Sequence, residues 1–254
     1  MSLNTLACIK RVPDTGATIN LTDDEQRIDT SGLGFTMSPH EECAIEEAVA
    51  QVEEHGGTST VLTLGPPEAD EQLRTGLAMR ADDAIHLETE ADEEWDPMAT
   101  ADAIARAIDA HDTEFDLLLF GNESADSENY QVGIRVAHHL DLPCVTGIKG
   151  LSVNDDMATA ERDIPTGTEI YEIDLPAIIT VKEGINEPRY PSMRAKMQAR
   201  RQEIAGVTPE GTGSGPDKVR LIAPEEDDEP AEILGTGPEA ASAVVDILEE
   251  LEVI

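Results

Sequence analysis

Four stretches of this chain would gather beyond the carboxyl ends of buried strands: residues 8–10, 38–41, 64–65 and the long loop 121–132. In an open parallel sheet, ligands settle beyond the carboxyl ends of the strands, where successive crossovers diverge. The chemistry this points to is nucleotide recognition. Helices opening near Ser38 and Gln131 would present unpaired N–H groups and a partial positive charge to phosphate or ribose oxygens. Asp126, Ser127 and Asn129 add ribose-type hydrogen-bonding groups. Glu41, Glu42 and Glu123 bring negative charge to the same place, so a nucleotide with few phosphates fits better than ATP. There is no Gly-x-x-x-x-Gly-Lys-Ser/Thr run, and no Gly-x-Gly-x-x-Gly follows the first strand. Taken alone, Ser38 and Gly121 also read as a plain helix cap and a turn.

Other chemistries find less support. His138 and His139 are adjacent on a helix and point to different faces, so they do not share a metal. A Gly-x-Ser-x-Gly elbow is absent. Cys8, Cys43 and Cys144 lie far apart and form no Cys-x-x-Cys, which reads as reduced thiols rather than a disulfide or zinc framework. The runs Asp23-Asp24-Glu25 and 225–229 read as solvated acidic faces. No nucleophile or acid–base pair stands out, so no metal site and no substrate turnover are expected.

The elements that must position these residues follow from periodicity. Residues 6–9 form a first strand, and Val12-Pro13-Asp14-Thr15-Gly16 breaks it. Ala44, Ile45, Ala48, Val49 and Val52 recur at helical spacing; Ser38 and Glu41 form a capping box at the start, Pro39 fits the first turn, and Gly56-Gly57 stops the helix. Strands follow at 61–64, 84–87 and 115–120, alternating with helices marked by Leu73 and Leu77, by Ile104 and Ile108, and by Val132, Val136 and Leu140. This alternation implies βαβ units and a mostly parallel sheet with helices on both faces. From Cys144 the pattern turns to short strands near 151–153, 157–162, 169–173 and 177–181, expected to pair antiparallel at one edge. Residues 182–201 hold six of the 17 basic residues, a cationic island. A Gly/Pro/Ser/Thr-rich linker is expected at 206–217, then a small strand at 219–222, and finally a helix with Ala241, Val244, Val245, Leu248 and Leu251 along one face.

Composition bounds the function. With 254 residues, 39% of them apolar but only three Phe, three Tyr and one Trp, the core must be aliphatic. A formal charge of −37 argues against binding nucleic acid or an anionic membrane, both of which need clustered cations. Only five of the 17 basic residues are Lys, and such an acidic coat suits a salt-rich cytoplasm, pointing to a halophilic source. No apolar run approaches the ~20 residues of a membrane span, and Met1 to Asn4 are not followed by a signal-peptide core, so a cytoplasmic location without membrane insertion is expected.

In order and spacing, several segments resemble the electron-transfer flavoprotein beta-subunit family: Ile9-Lys10-Arg11-Val12; Met37-Ser38-Pro39 before Glu46-Glu47-Ala48; Leu77-Ala78-Met79-Arg80-Ala81-Asp82; the 121–133 loop with Ala125-Asp126 and Gln131; Leu175-Pro176-Ala177; and Asn186-Glu187-Pro188-Arg189-Tyr190. The resemblance implies a Rossmann-like adenine-nucleotide-binding core at 1–190, and a partner-recognition segment with a C-terminal arm at 191–254. It further implies AMP held structurally in this subunit and FAD held mainly by an alpha subunit in a heterodimer. Electrons would pass from dehydrogenases such as acyl-CoA dehydrogenase to a quinone-linked oxidoreductase. The nucleotide contacts implied are Cys8; Ser38, Pro39, His40 and Glu41; Leu64; and Gly121, Asn122, Glu123, Ser124, Ala125, Asp126, Ser127, Glu128, Asn129, Tyr130, Gln131 and Val132.

Met193 occupies the position of a protruding apolar docking residue, with Arg194 and Lys196 beside it to steer an acidic partner. A solvated amphipathic helix is the alternative for that segment. Departures from the family pattern are Ser38 in place of Asn, the run Ser127-Glu128-Asn129-Tyr130, and Pro165-Thr166 where acidic or Gly residues are usual. Two rival readings are a beta subunit of an NADH-dependent bifurcating flavoprotein holding a second FAD, and a universal-stress-like nucleotide-binding module.

Overall fold

The computed structural model describes residues 2–91, 93–210, 218–223 and 233–254. In chain order the elements are β1 (Thr5–Ile9), β2 (Val12–Pro13), β3 (Phe35–Thr36), α1 (Pro39–His55), β4 (Ser59–Gly65), α2 (Asp70–Ala78), β5 (Asp83–Glu88), α3 (Pro97–Asp109), β6 (Leu117–Gly121), α4 (Val132–Leu140), β7 (Cys144–Ile148), β8 (Gly150–Asn154), β9 (Met157–Ile164), β10 (Gly167–Asp174), β11 (Ala177–Val181), α5 (Met193–Ala199), β12 (Ala205–Val207) and α6 (Ala241–Glu250).

Seven strands form one parallel sheet in the order β12-β5-β4-β1-β6-β11-β7. Alternation along β1 sends Ala7 and Ile9 to one face and Leu6 and Cys8 to the other. On the first face lie Ile45, Val49, Leu73 and Leu77 of α1 and α2; on the second lie Ile104 of α3 and Val136 of α4. Gly76 lets α2 approach closely, since a Cβ there would meet Val61 Cγ1 at 2.9 Å. The chain divides into two compact units: residues 1–19 with 30–218, and residues 20–29 with 219–254. Residues 191–218 of the segment expected to form the arm therefore belong to the first unit.

Four expectations are corrected. The antiparallel strands β8, β9 and β10 form a three-stranded sheet of their own rather than an edge of the main one. Residues 177–181 do not join them: β11 lies parallel between β6 and β7, and all five of its residues are buried. An unbroken apolar run suits a strand covered on both faces, whereas β9 alternates. Residues 219–222 form no strand; Leu221 N donates to Glu25 O at 2.8 Å, and Val219 and Ile222 stay exposed, burying nothing that would stabilise a ladder. Conversely Gly206 and Val207, expected in a linker, add to the open edge of β5 within β12. The rest of that linker from 211, and the acidic run 225–229, lie outside the described residues.

Among the described residues the only buried acidic side chains are Glu41 and Glu47, so the negative charge is a surface property. Between about 0.1 and 1 M KCl the screening length falls from about 10 to about 3 Å. The thermal midpoint is therefore expected to rise over that range as self-repulsion is screened. A midpoint that is flat or falling in calorimetry would contradict this.

Candidate functional site

Successive crossovers carry the chain from β1 to β4 and β5 on one side, and β6 then returns to the other side of β1. The switch point is thus the crevice between the carboxyl ends of β1 and β6. Three of the four expected segments meet there. Lys10, just past β1, donates through Nζ to both Asp126 oxygens at 2.8 and 2.7 Å, spanning from one strand exit to the loop after the other. Ser38 donates its hydroxyl to Glu123 O at 3.3 Å, and its backbone N–H donates to Glu41 Oε2 at 2.9 Å in the capping box of α1. Gly121 lies so close to α1 that a Cβ would meet Glu41 Cγ at 2.8 Å. The fourth segment, with Leu64, ends β4 one strand away, and neighbouring Thr63 donates to Ile9 O at 2.8 Å.

The 121–132 loop is organised by its own polar groups. Asn122 Oδ1 accepts from Thr180 Oγ1 at 2.9 Å, and its amide donates to Glu123 Oε2 at 2.7 Å. Ser124 and Ser127 share a hydroxyl hydrogen bond of 3.0 Å, and Glu128 N donates to Ser124 O at 3.0 Å. Glu128 and Tyr130 adopt left-handed φ of 47° and 55°, a strained conformation of the kind found at functional loops. The loop ends at Gln131, the N-cap of α4, which accepts from Arg135; Ala125 is half-buried, Asn129 exposed and Val132 packed against the second face of the core. Pro39 is the first residue of α1 and points to solvent.

Burial dominates the electrostatics. It raises the Glu41 carboxyl to about 8, with only partial offset from the Ser38 and Lys10 backbone N–H groups and the Lys10 charge. Burial and then Glu41 push the Cys8 thiol far above its ordinary range, leaving it inert. For Asp126, burial acts upward, but the Lys10 charge and hydrogen bond together with other hydrogen bonds outweigh it and lower the pKa. His40 Nε2 faces Glu123 at 3.9 Å, while its Nδ1 is buried without a hydrogen-bond partner among the described residues. That orphaned nitrogen, the missing Cβ of Gly121 and the hydroxyls of Ser124 and Ser127 fit a sugar–base ligand; the Glu123 and Asp126 charges do not fit a polyphosphate.

The cationic island is stapled to α1. Arg189 donates through Nε and Nη2 to Glu46 at 2.8 Å each, and through Nη1 and Nη2 to Glu53 at 2.8 and 3.0 Å. Asn186 Nδ2 donates to Glu47 Oε2 at 2.9 Å. From this base α5 begins at Ser192, whose hydroxyl accepts from Ala195 N, and Arg74 of α2 donates to the Ala199 carbonyl at its far end at 2.6 Å. Ala195 and Ala199 face the core, which leaves Met193 76% exposed. Met197, one turn on, is 55% exposed, and Tyr190 is 90% exposed with Lys196 Nζ 4.8 Å from its ring centroid. Met193, Arg194, Met197 and Arg201 line a hollow of about 500 Å³. Met197 was missed from sequence, although its four-residue spacing from Met193 was readable. A second hollow of about 530 Å³ lies between α1, α2 and α5; neither reaches the crevice at β1 and β6.

The electron transfer flavoprotein domain matches residues 27–211. The chain is 38% identical over 203 residues to the electron transfer flavoprotein subunit beta of Bacillus subtilis, covering 80% of this chain and 77% of that one. It is 35% identical over 223 residues to the same subunit of Mycobacterium tuberculosis, covering 86% and 84%. With the caffeyl-CoA reductase-Etf complex subunit CarD of Acetobacterium woodii it shares 33% identity over 219 residues, covering 86% and 83%. The chain belongs to the electron transfer flavoprotein beta-subunit family. Its role is accordingly in electron transfer as a carrier subunit. Among the described residues, no helix is long and apolar enough to cross a membrane and no group of His, Cys, Asp or Glu is placed to hold a metal ion.

In this flavoprotein subunit Glu41 gives the fold a distinctive pH response. Between the ordinary carboxyl value of 4.5 and about 8, the folded chain keeps a proton that the unfolded chain has lost. Stability is thus expected to fall as pH rises through that window, by on the order of 1 kcal/mol per unit from this group. Glu41→Gln, which still accepts from Ser38 N–H, should flatten the decline. Parallel urea titrations of both proteins at pH 5 and pH 8 check this, and an identical slope would rule it out.

Proposed function

We propose that this subunit binds AMP in the crevice at β1 and β6 and pairs with an electron-transfer flavoprotein alpha subunit that carries most of the FAD site. In this reading the heterodimer accepts electrons from dehydrogenases, such as an acyl-CoA dehydrogenase, and delivers them to a quinone-linked oxidoreductase. The observation that carries the nucleotide assignment is the 121–132 loop, drawn across the switch point by the Lys10–Asp126 pair and seated on the N-terminus of α1. The site residues inferred are Cys8, Ser38 to Glu41, Leu64 and the loop itself, with Met193, Arg194 and Lys196 for docking. A mononucleotide is favoured over a second FAD because Glu128, Asn129 and Tyr130 make a bulky turn in the loop, with Glu128 and Tyr130 at left-handed φ, where a second pyrophosphate would have to lie. The likeness to a caffeyl-CoA reductase complex subunit keeps a reductase-bound, two-FAD complex as the second reading. One FAD plus one AMP per heterodimer after denaturation supports the first; two FAD supports the second. The acidic coat supports a salt-rich cytoplasm as the setting.

Asp126→Leu removes the loop's tie to Lys10 and is expected to lower AMP retained by the purified heterodimer several-fold. Unchanged AMP content would remove the loop from the site.

Met193→Ala is expected to slow electron transfer from a partner dehydrogenase by roughly tenfold, within the range for loss of an exposed apolar anchor, with FAD content intact. Rates equal to wild type with every dehydrogenase tried would return α5 to the role of a solvated helix.

The α6 face carrying Val244, Val245 and Leu251 is exposed, and none of its residues is buried. A helix of this length is marginal unless it covers its apolar face, so we assign that face to the alpha subunit. Hydrogen exchange across α6 should slow on heterodimer formation. Strong, equal protection in the isolated monomer is the result that would overturn the assignment.

A further inference from the structure

On a chain of net charge −37, Arg11 is a cation with no ion-pair partner among the described residues. It follows Lys10 at the exit of β1, but while Lys10 is committed to Asp126, the Arg11 guanidinium lies flat on Phe35, its Cζ 3.4 Å from the ring centroid. Its Nε is buried with no hydrogen-bond partner, and no described carboxylate lies within 4.0 Å of its nitrogens. Glu68 and Glu71 are near enough to favour its charge but do not touch it, and burial outweighs them, so its pKa is lowered. The guanidinium is half-buried: its Nε has lost hydration and gained only a ring face, while its Nη end stays within reach of a partner.

With one face of the fork covered by Phe35 and Nε buried, the end carrying the two Nη groups is the part left for a partner. That end matches a planar, two-oxygen acceptor in a bidentate pair. The nearby Glu68 and Glu71 repel a phosphate dianion about twice as strongly as a singly charged carboxylate.

We infer that Arg11, held on its Phe35 shelf beside the nucleotide crevice, is a receptor for a carboxylate side chain of the alpha subunit and fixes how the two chains meet at the carboxyl edge of the sheet. The inference rests on the heterodimer reading. The pair would be desolvated on assembly, so its loss acts on dissociation more than on encounter.

The test compares the full chain with its Arg11→Met variant, which keeps the apolar stem on Phe35 and removes the charge. Two readouts should move in opposite directions. The isolated variant is expected to be as stable as wild type or slightly more so in urea, because a half-buried cation with no ion-pair partner among the described residues has gone. Its heterodimer Kd should rise roughly tenfold or more, and the steep salt dependence of the wild-type Kd should be reduced. A residue that merely supported the fold would lower both stability and affinity. Arg11→Glu should abolish tight pairing, with recovery when one acidic residue of the alpha subunit is changed to Arg.

A Kd for Arg11→Met within twofold of wild type overturns the inference while leaving the heterodimer reading intact. Failure of the wild-type chain to bind alpha at all overturns both. The isolated chain is also titrated with inorganic phosphate, following the Arg11 Nε–H resonance. Little or no shift is expected at millimolar phosphate; saturation there would assign the group to a phosphate ligand and overturn the carboxylate.

Discussion

β1, β6 and β11 lie inside a parallel sheet covered by helices on both faces, so each can meet solvent only at its ends. Their interiors are aliphatic: Leu6, Leu117, Leu118, Leu119, Ile178 and Ile179 are fully buried. The backbone groups between them are satisfied strand to strand. Polar chemistry is therefore pushed to the strand exits, and the exits that diverge are those of β1 and β6. The candidate site is the place where this constraint leaves unpaired groups, and Lys10, Ser38 and Asp126 meet there because it does.

Helix α1 links that crevice to the docking segment. Its N-terminus carries Ser38 and Glu41 against Gly121, while its body carries Glu46, Glu47 and Glu53 to hold Asn186 and Arg189. Fork-to-carboxylate pairs of this kind fix direction as well as distance. On an acidic protein the few cations are thus spent selectively. Arg189 and Lys10 hold structure, whereas Arg194 and Arg201 are left around the exposed Met193 and Met197.

The burial of Glu41 illustrates the tension in such a site. A carboxyl placed under a loop, accepting from Ser38 N–H, is retained at the cost of pH-dependent stability. Cys8 beside it is buried and inert, which removes thiol chemistry from the crevice and leaves recognition. The Nδ1 of His40 and the Nε of Arg11 are buried without a hydrogen-bond partner among the described residues.

The local rules settled much of this in advance. The Ser38–Glu41 capping box, the stop at Gly56 and the alternation of apolar strands with helical stripes depend on neighbours in sequence, and each appears as read. The cationic island was equally visible, because charge clustering needs no fold to be counted. What sequence left open were the relations set by distant partners. Strand β11 sits in the middle of the parallel sheet because both its faces find cover, and no local pattern says which neighbours supply it. β12 exists because β5 has an open edge, and 219–222 fails to be a strand because its apolar residues have nothing to bury against. Lys10 reaching Asp126 across 116 positions, and Arg11 pairing with no carboxylate among the described residues, are likewise facts of three dimensions. Periodicity reports which face of an element is apolar; only the packed fold decides what that face, or a charge beside it, will meet.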